Sequence, residues 1–174
     1  GRIFYRRRTD NTGKKAGNVE DFIQKSGAAY DLALILDADS LMEGATIVEM
    51  ARRMQAEPDI GLLQTLPVVT RATTRFGRAM QFSAAFHSPI FARGLAMMQG
   101  RSVPFWGQNA IVRMRAFAES SGLPVLRGKP PFGGHIMSHD YVEAALLARA
   151  GWRVRLDDDL QGSYEEGPEN LVDH

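Results

Sequence analysis

Two carboxylates stand two positions apart in "DLALILDADSLMEG", directly after the apolar run from Leu32 to Leu36. Alternate residues of an extended segment point the same way. Asp37 and Asp39 can therefore share a hard cation such as Mg²⁺ or Mn²⁺, which would neutralise a diphosphate. Aspartate and serine are also favoured helix caps, and on spacing alone Asp39 or Ser40 capping the next helix is an equal reading.

Three further stretches hold chemistry-bearing residues. In "GKKAGN" (13–18), two lysines sit beside two glycines at a helix start, which suits a phosphate, although a solvated turn is the simpler reading of this stretch alone; the glycine order is not that of a P-loop. In "WGQNA" (106–110), a tryptophan face and two amides suit a sugar, or a turn with one core aromatic. In "HIMSHD" (135–140), Asp140 stands at a helix start and His139 beside it. The carboxylate can act as a base where other groups offset the helix dipole, and the histidine can bind substrate or metal; capping and a surface histidine are the bland alternatives. "YEE" (164–166) reads as an exposed acidic loop, "RRR" (6–8) as a solvated strand edge, and the methionines at 50, 54, 80, 97, 98 and 114 as core filler.

The elements that must position these residues follow from periodicity. Ile3 to Arg8, Leu32 to Leu36, "IGLLQTLPVV", "NAIVRM" and "WRVRLD" read as strands. Helices are expected after an Asn18 cap, over "ATIVEMARRMQAEP", over "RFGRAMQFSAAFHSPIFARGLAMM" with a kink at Pro89, and from Ser138 to a stop at Gly151. The alternation predicts an α/β fold, a mostly parallel sheet flanked by helices on both faces. In such sheets ligands bind beyond the carboxyl ends of strands, which is where Asp37 and Asp39 lie.

With 174 residues the chain fits a single domain, 1–174, with enough length for a real core. A net charge of +1 gives no global field for nucleic acid, and the absence of cysteine excludes disulfides and thiolate metal sites. No apolar run approaches membrane-spanning length, so this segment reads as working in water.

"KKAGN", "LDADS", "GQNAIVR" and "SHDYVEAALLARAGW" occur in an order and spacing that resembles the processive family 2 glycosyltransferases, of which cellulose synthases are the best-known members. "GRIFYRRR" and "GSYEE" extend the resemblance nearly end to end, toward the branch that builds osmoregulated periplasmic glucans. The combination is specific; each motif alone is not. The resemblance implies a nucleotide-diphospho-sugar transferase (GT-A-like) fold, incomplete at both ends, as the central part of a catalytic domain. It also implies an inverting reaction that elongates a β-glucan from UDP-glucose.

By position, the resemblance makes Asp37 and Asp39 the DxD pair. Asp39 would bind Mg²⁺ or Mn²⁺ on the UDP diphosphate, and Asp37 would contact the nucleotide or assist. Lys15 and Asn18 would lie near the diphosphate, with Trp106, Gly107, Gln108 and Asn109 under the acceptor end. Asp140 takes the place of the general base. Ser138 and His139 replace the Thr-Glu pair usual in cellulose synthases, which leaves the role of His139, here assigned to substrate binding, open. The implied partners are UDP-glucose, the growing glucan and, through transmembrane segments outside this chain, the cytoplasmic face of the bacterial inner membrane; nucleic acid is not among them. A non-catalytic nucleotide-sugar or carbohydrate-binding module, or a phosphoryl-transfer regulator using the same carboxylates, is the alternative. Asp140 separates them, since binding needs no base.

Overall fold

The computed structural model describes residues 3–120, 123, 126–129, 133, 134, 136 and 139–172. The first helix, α1 (Lys14–Ser26), is followed by a single 3₁₀ turn, Gly27–Ala29. Then come β1 (Leu32–Ile35), β2 (Leu41–Met42), α2 (Gly44–Ala56), β3 (Ile60–Thr65) and β4 (Val68–Thr70). The rest is α3 (Arg75–Gln99), β5 (Ala110–Arg113), α4 (Met114–Ser120), α5 (His139–Arg149), β6 (Arg153–Asp157) and β7 (Ser163–Glu166).

The main sheet has the order β1-β5-β3-β6, and a smaller one the order β2-β7-β4. The α/β reading holds, but the pairing is mixed rather than mostly parallel. β1, β3 and β6 run the same way, while β5 lies antiparallel between β1 and β3. A four-residue strand buried on both faces carries the same apolar pattern in either direction, so sequence periodicity does not reveal its orientation.

Side chains alternate across the main sheet. Leu62, Val112 and Val154 face a core built with Phe117 of α4 and Leu147 of α5, against which Val19, Phe22 and Ile23 of α1 pack. Leu63 and Ile111 point to the other side, onto Met50 and Met54 of α2. All six residues of β3 are buried, as expected of a central strand. At its edge Arg53 binds Asp157 at 2.6 Å and Asp159 at 2.8 Å, and Arg155 binds Asp157 and Glu57. The Asp157 and Asp159 carboxylates are thus neutralised by arginines of α2 and β6.

Several local expectations are corrected. Residues 3–8 form no strand; Arg6 and Arg8 instead bind α1, through Asn18 Oδ1 at 2.6 Å and the Lys14 carbonyl at 3.2 Å. α1 begins four residues before Asn18, where Gly13 and Lys14 both adopt left-handed φ, so Asn18 is interior and not a cap. The N-cap of α2 is Glu43, so neither Asp39 nor Ser40 serves that helix. "IGLLQTLPVV" divides at Leu66-Pro67 into strands of different sheets. As expected, α3 is a single long helix with Pro89 inside it. "YEE" is not a loop but part of β7. Met50, Met54 and Met114 are core, whereas Met97 and Met98 are exposed. The expected start of α5 at Ser138 falls outside the described residues.

Candidate active site

The segment before β5 is clamped to the carboxyl end of β3. The buried Gln64 donates to the Pro104 carbonyl at 2.6 Å and accepts from Trp106 N at 3.2 Å. Thr65 N donates to the Asn109 carbonyl at 3.1 Å. Gly107 and Asn109 both take positive φ, 85° and 50°, so the chain doubles back here. These constraints fix the "WGQNA" stretch as a rigid floor. Trp106 turns partly into an apolar cluster with Ala92, Val103 and Leu156. Both polar atoms of the Asn109 side chain are buried without a partner among the described residues.

α5 delivers Asp140 onto this floor. Its carboxylate lies so close to Gly107 that a Cβ there would stand 2.7 Å from Oδ2. His139 Nε2 lies 2.7 Å from Asp140 Oδ1. Burial raises the Asp140 pKa; the His139 and Lys15 charges act against that rise, and Asp37 adds to it. The carboxyl is thus moved toward the range of a working base.

Opposite, the first turn of α1 carries Lys15, whose Nζ pairs with Asp37 Oδ1. Asp37 ends β1 in a tight turn: its N–H donates to Ser40 Oγ at 3.1 Å, and Ser40 N donates to its carbonyl at 3.1 Å. Ser40 Oγ donates in turn to Gln108 Oε1 at 2.9 Å, and Gln108 Nε2 donates to Glu165 Oε2 at 2.6 Å. This chain of bonds ties the β1 turn, the floor and β7 together. Burial raises the Glu165 pKa, and Asp39 and Asp37 raise it further. Three carboxylates therefore crowd one side of the site.

Of the residues singled out in the sequence, Lys15, Asp37, Gly107, Gln108, His139 and Asp140 are brought together. Asp39 is exposed at the turn, and its field reaches Glu165. Asn18 lies farther along, in a cleft of about 960 Å³ that Lys15 and Asp37 also line, and bonds Arg6. Trp106 is partly buried and packs against the cluster that includes Ala92 of α3. As hard oxygen donors flanked by a lysine, Asp37 and Asp39 fit a divalent cation at a diphosphate.

Two participants escaped the sequence reading. Glu165 belongs to β7, whose acidic sequence suggests a loop. Glu143 follows Asp140 by three residues, one helical turn on, a spacing that puts both on one face. It is only 6% exposed, and burial together with the Asp140 charge raises its pKa to about 8, with Lys15 opposing. One ligand-type atom from each of His139, Asp140 and Glu143 lies within 4.8 Å of the others. Burial and the Asp140 charge favour the protonated form of Glu143, so the group holds a proton beside Asp140.

Residues 32–174 match the family described as glycosyl transferase family group 2. The chain is 79% identical over its whole length to "Glucans biosynthesis glucosyltransferase H" of Cereibacter sphaeroides, of which it covers 29%. It is 54% identical over 99% of its length to the proteins of that name from Xylella fastidiosa and Xanthomonas euvesicatoria, of which it covers 27%. The chain thus spans less than a third of the length of these relatives. A match that runs from β1 to the end of the chain takes in the Asp37 turn, the Gly107 floor and Asp140 alike, and the chain belongs to glycosyl transferase family group 2.

Proposed function

We propose that the chain is the central part of the catalytic domain of an inverting glucosyltransferase, which elongates a β-glucan from UDP-glucose. The observation that carries this reading is the placement of Asp140. A half-buried carboxylate with a raised pKa lies against the Gly107 floor, within the fields of Lys15 of α1 and Asp37 of the turn after β1. A binding module needs the lysine and the floor but not a desolvated base.

In this reading the acceptor hydroxyl attacks the anomeric carbon of the donor glucose from the face opposite UDP. The new glycosidic bond forms as the bond to the UDP oxygen breaks, and Asp140 takes the hydroxyl proton. Lys15 stabilises the charge on the departing diphosphate. Asp37 and Asp39 would hold Mg²⁺ or Mn²⁺, which supplies charge neutralisation at the diphosphate. Gln108, fixed by Ser40 and Glu165, and Trp106 would line the acceptor side, and His139 would orient Asp140. The relatives' name supports a glucan product; a periplasmic glucan and a place at the cytoplasmic face of the inner membrane, held by segments outside this chain, are parts of the proposal.

The test is Asp140→Asn in the full-length protein, assayed with labelled UDP-glucose and, separately, for UDP binding by calorimetry. Transfer should fall by at least about 10³-fold while UDP affinity stays within about twofold, because the amide keeps the shape but takes no proton. Turnover near wild type would exclude Asp140 as the base. UDP binding without transfer by the wild-type protein would favour the binding module.

A further inference from the structure

Glu143 lies one helical turn beyond Asp140 on the same face of α5. One oxygen from each carboxyl and one nitrogen of His139 lie within 4.8 Å of one another. Glu143 is only 6% exposed, and Ala144 and Leu147, which follow it on α5, belong to the core. A small cavity of about 130 Å³ beside it is walled by Val19 and Ile23 of α1 and Phe117 of α4. Glu143 has no part in the transfer step that Asp140 carries, so its burial at this place calls for another account.

The titratable and charged groups that face Glu143 decide its state. From α5 they are Asp140 and His139, and from α1 Lys15 and Glu20; the α4 residues beside it, Phe117 and Ala118, carry no charge. Lys15 is the cation whose charge favours an ionised Glu143, but its Nζ is paired with Asp37. Two buried carboxyls this close do not both ionise cheaply, and the proton stays on Glu143. Asp140 meanwhile has no slack, since its Oδ2 sits where a side chain on Gly107 would have to go. An ionised Glu143 could not withdraw, because apolar side chains close the cavity and the Glu20 carboxylate belongs to its wall. The repulsion would fall on Asp140.

We propose that Glu143 is a positioning residue for the base: as the neutral acid it leaves Asp140 seated on Gly107, and on losing its proton it drives Asp140 from that seat and transfer stops. This rests on the reading of Asp140 as the base. It adds an alkaline limit that Asp140 alone does not set, because a carboxylate base stays ionised at every pH above its own titration.

Rates of glucosyl transfer by the full-length protein from pH 6 to pH 9 test the assignment. With Glu143 titrating at about 8, the wild-type kcat should be about tenfold lower at pH 9 than at pH 7. The KM for UDP-glucose should stay within about twofold, since the donor is gripped from the Lys15 side. Glu143→Gln keeps the shape without the charge and should bring the ratio of the two rates close to one. Carbon-13 spectra of the chain give a readout that needs no activity. The Asp140 carboxyl resonance, assigned with Asp140→Asn, should shift near pH 8 in the wild type and not in Glu143→Gln. A wild-type rate flat to pH 9, a fall that survives Glu143→Gln, or an Asp140 resonance that ignores this range would overturn the proposal. Failure of the underlying reading shows separately, as near-wild-type turnover by Asp140→Asn, which would remove the base that Glu143 is to position.

Discussion

The Asp140 carboxylate rests directly on the Cα of Gly107, where any Cβ would lie 2.7 Å from Oδ2. Gly107 also has φ of 85°, which side-chain-bearing residues rarely adopt. Gly107→Ala must therefore move the base, the floor, or both. A misplacement of about 1 Å at a reacting group costs on the order of 10²-fold in rate. In the full-length protein, glucosyl transfer should drop by about that factor, while UDP binding, which uses the Lys15 side of the site, should hold. Equal loss of both would place Gly107 in the donor pocket instead.

Glu143 makes stability depend on pH with a definite sign. Its folded-state pKa, about 8, lies above the ordinary value of 4.5, so the folded protein holds this proton more tightly than the unfolded one. The stabilisation is complete below the unfolded value and is lost as the pH rises through about 8. Linkage puts the loss at about 2–3 kcal/mol between pH 6 and pH 8. Urea titrations of the chain at the two pH values should show it, and Glu143→Gln, which cannot ionise, should remove most of the difference. A wild-type curve flat across this window would mean that Glu143 is ionised or solvated.

Asp37 and Asp39 should make UDP binding metal-dependent. Calorimetry with UDP in Mg²⁺ or Mn²⁺ should show affinity falling at least about tenfold on Asp39→Ala or on chelation, consistent with a lost cation bridge to the diphosphate. Asp39 is exposed and caps no helix, so its removal leaves the fold untouched. Metal-dependent affinity unchanged by the substitution would move the cation elsewhere.

What was legible in the sequence is what a short window can hold. The apolar run before Asp37 marks β1, and the sequence places Asp140 at a helix start, where the structure has it. Lys15 and Asp37, 22 residues apart, were each marked by local chemistry, yet their ion pair is a product of the fold. Glu165 was missed because β7 gains its strand character from β2 and β4, not from its own acidic sequence. Ile3 to Arg8 failed in the opposite sense. Its β-branched and aromatic content suits a strand, but a strand exists only where another supplies hydrogen bonds, and here arginines bind α1 instead. The direction of β5 is likewise a tertiary fact.

The chain by itself should bind UDP weakly and through charge. β1 is an edge strand of the main sheet, and the cleft beside it is lined by aliphatic residues of β1, with Lys15, Asp37 and the arginines at 6–8 supplying its charge. Such a wall can grip a diphosphate, but its fields reach the ligand through water, where the screening length is about 10 Å at 0.1 M salt and about 3 Å at 1 M. The affinity for UDP should therefore fall by roughly tenfold or more over that range. No glucosyl transfer is expected from the isolated chain supplied with labelled UDP-glucose, metal and a glucan primer. The edge of β1, unpaired among the described residues, should also favour self-association, visible as a concentration-dependent mass in sedimentation. Tight binding that survives 1 M salt, or polymer formed by the chain alone, would show that Lys15, Asp37 and the Gly107 floor already make a complete donor and acceptor site.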